Sequence, residues 1–349
     1  MRFVLILFIL ASCNASKSPE ADTISLLKKS GSSSVLGVIN IPYDVNDMPD
    51  YDLPDQFLNC SSPLEFPVKL SDYCLYEYLD SDTEYINFQK YELNYPLWTN
   101  GSDKKRWMYL PRDSKINTLN PDEWIFPVGT VLLKEFSYNG LKVETRLIEK
   151  LSSNNWRVAV YAWNNEQTQA NYVNTGVLNA LGTGHEIPSL SQCINCHKGR
   201  SDFAIGPEAV QFEHRDKNGL NLDKLVQLNL ITHSLPRPMI IKGNELTQKA
   251  LGYLHGNCSH CHNPDGQWKG DFLGDPTFLN FRHTSSANTL AQENAYLNLF
   301  RFNKIDVNNP STSQIIFRMR SKDFQMPPVG VQKADEEGIK LLLEWVNQL

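Results

Sequence analysis

The motif Cys-x-x-Cys-His occurs twice in this chain of 349 residues. The two copies are Cys193, Cys196 and His197, and Cys258, Cys261 and His262. This spacing is typical of c-type haem attachment, in which each thiol adds to one vinyl group of the porphyrin. The histidine that follows is then held beneath the iron and can donate a ring nitrogen to it. Two copies among only seven cysteines predict two covalently bound haem c groups.

Paired cysteines also occur in zinc sites and in redox-active dithiols. A zinc ribbon needs two pairs roughly 15–20 residues apart, and Cys196 and Cys258 are much further apart than that. A zinc site also has no need of a histidine immediately after each pair. A thioredoxin-like pair occurs once, near a βαβ pattern. Zinc binding and dithiol chemistry therefore explain the sequence less well than haem attachment does.

A haem iron that only shuttles electrons needs a sixth ligand. For the second motif the candidate is Met326, which is followed by Pro327 and Pro328. Prolines stiffen the loop and hold the thioether sulfur towards the iron, and His/Met ligation raises the reduction potential. The alternative is that Met326 is an ordinary gap-filling side chain.

The sixth ligand of the first iron is less clearly indicated. Met239 follows Pro236 and Pro238, which again indicate a stiff loop, and it ranks first, whereas His233 ranks second. His185, His214 and an open coordination position are also compatible with the sequence. A ligating histidine normally donates its second ring N–H to a carbonyl oxygen, and Pro207 is the expected acceptor for His197.

Two helices are expected to position the second motif. Residues 335–349 carry an apolar stripe at helical spacing, formed by Ile339, Leu342, Leu343 and Val346. A helix over residues 246–256 leads into the motif and should cross this final helix, with Gly252 permitting the close approach.

Strands are predicted ahead of the motifs. Residues 130–136, 141–151 and 156–163 have strand-like patterns, and Asn139-Gly140 is a strong hairpin signal. These segments predict an antiparallel meander. Its tryptophans are expected to fill the core of the meander and not to form a binding cage.

The N-terminus has the pattern of an export signal. One positive charge and a short apolar run precede Leu10, Ala11, Ser12 and Cys13, which resemble a bacterial lipobox. Residues 1–12 would then be removed and Cys13 would carry lipid, anchoring the protein to a membrane. The alternative is a plain signal peptide cleaved nearby, for example after Ala15.

The remaining cysteines are Cys60 and Cys74. In an oxidising compartment outside the cytoplasm they are expected to form a disulfide, and the alternative is two buried thiols.

Length and composition indicate several domains. We expect a signal peptide (1–12), a flexible tether (13–50), a β-rich domain (51–180), a first haem segment (181–245) and a second cytochrome c-like domain (246–349). The predicted fold class is α+β multidomain, with an N-terminal antiparallel β-rich domain followed by mostly α-helical cytochrome c-like haem domains. The net charge of −6 and the lack of a basic stripe argue against a nucleic-acid partner.

The chain resembles an uncharacterised family of bacterial dihaem c-type cytochromes. The stretches that carry the resemblance are 69–73, 95–98, 104–107, 126–131, 144–147, 192–193, 257–264 and 326–328. The resemblance implies a β-rich front portion, two haem-bearing portions and electron transfer. Cys74 departs from the expected pattern, which fits a disulfide specific to this branch.

The predicted function is single-electron transfer by a lipid-anchored protein of the bacterial cell envelope, facing the periplasm or the outer surface. It would act between a donor and an acceptor protein whose identities the sequence does not indicate. The alternatives are a dihaem peroxidase and the cytochrome subunit of a periplasmic dehydrogenase. A peroxidase would need an open iron and an acid/base group such as His185, His214 or Glu208. A third possibility is a docking role for the β-rich portion.

Overall fold

Six antiparallel strands form the main sheet of the computed structural model, which describes residues 65–79, 85–215, 217–266 and 279–349. The strands follow one another in chain order across the sheet. They are β1 (Phe88–Lys90), β2 (Asp103–Tyr109), β3 (Val131–Tyr138), β4 (Leu141–Ser152), β5 (Asn155–Trp163) and β6 (Ala170–Tyr172). A second sheet pairs β7 (Val177–Ala180) with β8 (His185–Ile187). The signal peptide, the tether, Cys13 and Cys60 lie outside the described residues.

The predicted meander is confirmed by β3, β4 and β5. Asn139 and Gly140 join β3 to β4 with φ values of 49° and 83°, the left-handed pair that a tight hairpin turn requires. Both faces of the sheet are covered, so the strands do not show simple alternation of buried and exposed residues. On one face Trp107, Leu133 and Leu147 share a core, and on the other Met108 and Leu132 share another.

Seven α-helices occur in the described part of the chain. They are α1 (Leu190–His197), α2 (Ala209–Phe212), α3 (Leu222–Gln227), α4 (Glu245–Cys258), α5 (Asn294–Arg301), α6 (Gln314–Arg320) and α7 (Glu336–Val346). Short 3-10 helices cover Leu70–Asp72, Tyr76–Tyr78, Leu290–Gln292 and Pro310–Thr312. None of the helices described is both long and apolar enough to cross a membrane.

The predicted fold class is wrong in its second half. Helix accounts for only about 26% of the structure, so mostly α-helical haem domains do not follow the β-rich portion. The first motif segment instead joins the core of the sheet, where Ala204, Phe212 and Leu225 pack with Met108 and Leu132.

Residues 49–349 form one compact unit by their internal contacts. The finer division at residues 180 and 245 stays a prediction.

The two helices expected around the second motif are confirmed as α4 and α7, which pack together. Asn244 and Asp335 cap their N-termini by accepting hydrogen bonds from Thr247 and Gly338. The role predicted for Gly252 is wrong, because a side chain there would meet the Tyr95 ring at 2.1 Å. The close approach of α7 to α4 instead occurs at Gly338, where an added Cβ would meet the Tyr253 ring.

Candidate functional site

The first motif occupies α1, which begins at a capping box formed by Ser189 and Gln192. Cys193 is buried, and it packs in a cluster with Phe136 and Val160 of the sheet. Cys196 and His197 lie in the last turn of the helix. The sheet therefore positions the first thiol, and the helix geometry positions the second thiol and the imidazole.

The ring of His197 is oriented by a backbone carbonyl. Its Nδ1 donates to the oxygen of Phe203 at 2.6 Å, so Nε2 is left for a metal ion. The prediction that Pro207 supplies this carbonyl is therefore wrong. Phe203 has a φ of 63°, a left-handed conformation, and lies in the turn that follows α1, where its carbonyl meets the imidazole. Desolvation lowers the pKa of His197 to about 4, so the ring is neutral and can act as a ligand near neutral pH.

The second motif begins at the last residue of α4, Cys258. The backbone N–H groups of Cys261 and His262 both donate to the carbonyl of Cys258, at 3.2 and 2.9 Å. This turn brings His262 back beside the helix end, where its ring meets the Phe281 ring edge-on at 5.4 Å. Desolvation lowers the pKa of His262 to about 4, so this ring too is neutral near pH 7.

A cleft with about 1300 Å³ of empty space, partly open to solvent, lies beside the second motif. Its lining includes Cys258, Cys261, His262 and Met326, so the structure brings the predicted methionine into the same cleft as the motif. The backbone N–H of Met326 donates to the carbonyl of Arg318 at 2.9 Å, which ties the methionine loop to α6. Apolar side chains form much of the remaining wall, namely Leu279, Phe281, Ile315 and Met319.

The two motifs contact each other. The possible ligand atoms of Cys196, His260 and Cys261 all lie within 4.8 Å of one another. A Cβ on Gly199 would lie 2.1 Å from the carbonyl oxygen of His260, so only glycine permits this approach. The guanidinium of Arg282 adds a hydrogen bond to the carbonyl of Gly199 at 3.0 Å.

His260 occupies an interior position of the second motif, where side chains usually face outward, but here it is buried. The side-chain amide of Asn263 donates to the carbonyls of Ser259 at 2.7 Å and His260 at 3.3 Å, which tightens the turn. Sequence spacing carried no sign of this contact between the motifs.

Met239 lies in the hydrophobic core that the sheet shares with the first motif segment. Met239 is buried together with Met108 and Trp124. Phe203 packs against the same cluster, and its ring contacts the ring of His197. Its backbone N–H donates to Glu213 at 2.8 Å. Met239 is not among the residues described as lining the His262 cleft. Its role at the first iron stays a prediction.

The alternative histidines make local hydrogen bonds. Both ring nitrogens of His185 have partners, Glu144 at 2.7 Å and the Tyr138 hydroxyl at 3.3 Å, which argues against His185 as an iron ligand. The ring of His214 donates to the carbonyl of Glu92 at 3.1 Å. The ring of His233 bonds to the Thr232 hydroxyl at 2.8 Å.

A buried polar network, which sequence reasoning did not find, connects the two motif segments. Glu208 accepts from Arg200 at 2.6 Å and from His255 at 2.8 Å. His255 in turn accepts the backbone N–H of His283 at 3.0 Å, and the His283 ring bonds to Glu293 at 2.9 Å. Arg200 follows the first motif and His255 precedes the second.

Glu208 is one of the acid/base groups expected if the chain were a peroxidase. Burial raises the pKa of its carboxyl, but attraction by Arg200 and His255 outweighs burial and lowers that pKa to about 2. Glu208 is therefore a carboxylate with its oxygens occupied, and it has no proton to donate near neutral pH.

None of the four motif cysteines forms a disulfide, whereas Cys74 takes part in one. Since Cys60 lies outside the described residues, the Cys60–Cys74 pairing stays a prediction.

No family model, curated protein or solved structure matches this chain.

Proposed function

We propose that this chain is a dihaem c-type cytochrome that transfers single electrons at the bacterial cell envelope. The observation that carries the proposal is the shared cleft of Cys258, Cys261, His262 and Met326. Two thiols, a neutral imidazole and a thioether are the groups that attach and ligate a c-type haem.

The chemistry of the cleft fits this group. Its largely apolar wall would exclude water from a flat hydrophobic ring, while Lys304 and Arg318 on the lining offer positive charge to carboxylates at the ring edge. A bound haem would supply reversible one-electron chemistry at its iron. The protein groups would hold the ring, keep solvent away and exchange no protons.

The first motif offers the same donor set on the proximal side. The Phe203 carbonyl fixes the His197 ring, and α1 presents Cys193 and Cys196 on the preceding turn. We assign Met239 as the proposed sixth ligand here.

The proximity of the two motifs supports a relay function. Cys196 and Cys261 would each carry one thioether link, and their sulfur atoms lie within 4.8 Å of each other. The two attachment points would consequently lie close together, which would favour electron transfer between the two sites.

The decisive experiment counts covalent haem. The full chain is produced in a host competent for cytochrome c maturation, denatured, and examined by haem staining and intact mass. We expect two haem additions in the natural chain and one in each double variant, Cys193→Ser/Cys196→Ser and Cys258→Ser/Cys261→Ser. The same protein from a host without haem ligation is the control. Pigment-free protein from the competent host would refute the proposal.

A metal ion site is the second candidate, favoured by the Cys196, His260 and Cys261 cluster. Zinc accepts thiolate and imidazole ligands in such a cluster. A zinc site in this cluster would need free cysteine thiols, so zinc would compete with haem for Cys196 and Cys261. Stoichiometric zinc in haem-free protein from the competent host would establish this candidate instead.

The enzyme alternatives depend on an iron with an open sixth position. In the haem-loaded protein, two low-spin irons that are inert to peroxide support an electron carrier. A high-spin iron that reacts rapidly with peroxide would indicate a peroxidase.

We also propose a lipid anchor at Cys13, a protein redox partner, and no nucleic-acid partner. Mass spectrometry of the mature N-terminus tests the anchor, and we expect the chain to begin at a lipidated Cys13. A mature chain that begins at an unmodified residue after Cys13 would contradict the anchor.

A further inference from the structure

A row of basic side chains crosses the middle of the main sheet. Arg106 of β2 is paired with Lys134 of β3, which is paired with Arg146 of β4. Directly paired residues of neighbouring strands point to the same face of a sheet. Lys104 lies two residues before Arg106 and therefore shares that face. These four residues are the basic row.

The basic row has little compensating negative charge. Arg146 bonds to Glu144 at 2.5 Å, and Glu144 is shared with His185 at 2.7 Å. Within the described part of the chain, Lys104, Arg106 and Lys134 have no ion pair. Arg106 is 7% exposed, and its Nη2 is buried without a hydrogen-bond partner.

Such an arrangement is costly by itself. Like charges directly opposite each other on a sheet repel, and a buried charge without a partner is strongly unfavourable. Consistent with this, burial and the nearby Arg106, Arg146 and Lys104 hold the pKa of Lys134 well below its usual range. An anion placed against the row would remove both penalties.

The basic row borders the first motif. Cys193 packs with Phe136 and Val160 on this sheet face, and Val160 is paired with Arg146. The basic row and the packing contact of Cys193 therefore lie on the same face of the sheet, and His197 follows Cys193 by four residues on α1.

We propose that the basic row binds the two carboxylates of the porphyrin attached to the first motif. This inference rests on the proposed function. Guanidinium and ammonium groups bind carboxylates by charge-assisted hydrogen bonds, and two carboxylates would balance the excess charge of the row. The main sheet is then one wall of the first haem site, which gives the β-rich portion a role in setting the reduction potential.

The experiment compares Lys134→Met with Lys105→Met in the haem-loaded full chain. Lys105 lies on the same sheet but is exposed and points to the opposite face. Removal of a positive charge beside a haem favours the oxidised iron. We therefore expect the reduction equilibrium constant of one haem to fall at least tenfold in Lys134→Met, which is a drop of about 59 mV for one electron. Lys105→Met should move neither midpoint, and Lys134→Arg should restore the natural value.

The haem that shifts is identified with Met326→Leu, which should affect only the second haem. Unchanged midpoints in Lys134→Met, or an equal shift of both haems, would overturn the inference while leaving the dihaem assignment intact. A natural chain without covalent haem would instead overturn the proposed function.

Discussion

A methionine sulfur becomes an iron ligand only if the backbone holds it opposite a histidine. At Met326 the hydrogen bond from its N–H to the Arg318 carbonyl ties the loop to α6, and the side chain lines the cleft that contains His262. Met319 lines the same cleft from within α6 but has no proline-stiffened loop around it. The local backbone therefore distinguishes a proposed ligand from an ordinary wall residue.

In the haem-loaded protein that we propose, Met326→Leu should lower the reduction potential of one haem and abolish its methionine–iron absorption band. Leucine conserves volume but has no sulfur, so packing is largely kept while the ligand is lost. The matched control is Met319→Leu, for which an unchanged spectrum is expected. Redox titration with absorption spectroscopy measures both, and the assignment fails if the two variants behave alike.

Short elements in this protein are held by buried polar contacts. Glu208 lies immediately before α2 and bonds to His255 of α4 and to Arg200 in the turn after α1. All three side chains are buried, so each would be costly without the others. The contact thereby fixes α4, and with it the second motif, relative to the end of the first.

Replacement of Glu208 by glutamine should lower the free energy of unfolding by roughly 3–5 kcal/mol, since Arg200 would be left without its counter-ion. Denaturant titration near neutral pH measures this change. Glu245→Gln is the control, because Glu245 is exposed and its pair with Lys249 lies at the surface.

At low pH the natural chain should lose the stabilisation that the Glu208 carboxylate provides. The folded-state pKa of Glu208 lies below its ordinary value, so its stabilisation is fully present above about pH 4.5 and is lost as the pH falls towards about 2. The size of the loss is about 3 kcal/mol from the shift in pKa. Glu208→Gln should show a correspondingly weaker acid dependence, and an identical dependence in both proteins would contradict this role.

Across the whole molecule, the main sheet, the first motif and the second motif are packed into one unit. The core of the sheet extends into the first motif segment, and Gly199 then meets the carbonyl of His260 in the second motif. Tyr95, just ahead of β2, packs on Gly252 of α4. The contact between the motifs is therefore one of several that join the sheet to the motif segments.

Gly199→Ala should separate the motifs. The new Cβ would lie 2.1 Å from a backbone oxygen that cannot rotate away, and such overpacking costs about 1–3 kcal/mol. We expect a lower free energy of unfolding together with weaker magnetic coupling between the two irons in the haem-loaded protein. Lys198→Ala, at the exposed neighbouring residue, should change neither. Unaltered coupling in Gly199→Ala would show that the motifs do not meet at this point.

Part of the fold followed directly from local patterns. The turn at Asn139-Gly140, the strands around it and the amphipathic α7 were predictable because turn geometry and side-chain periodicity act over a few residues. The haem prediction also depended on local spacing and stays a prediction. The amount of helix was not predictable, because the first motif segment buries its apolar side chains against a sheet that lies elsewhere in the sequence.

The residue types and spacing by themselves determined which thiols and imidazoles could carry chemistry, since attachment of a porphyrin depends on neighbours within one helical turn. Only the tertiary structure decided that Phe203 orients His197, that His260 is buried between the motifs, and that the basic row faces Cys193. These contacts join residues distant in the chain, and their energies depend on burial and charge that exist only after the sheet and helices have packed.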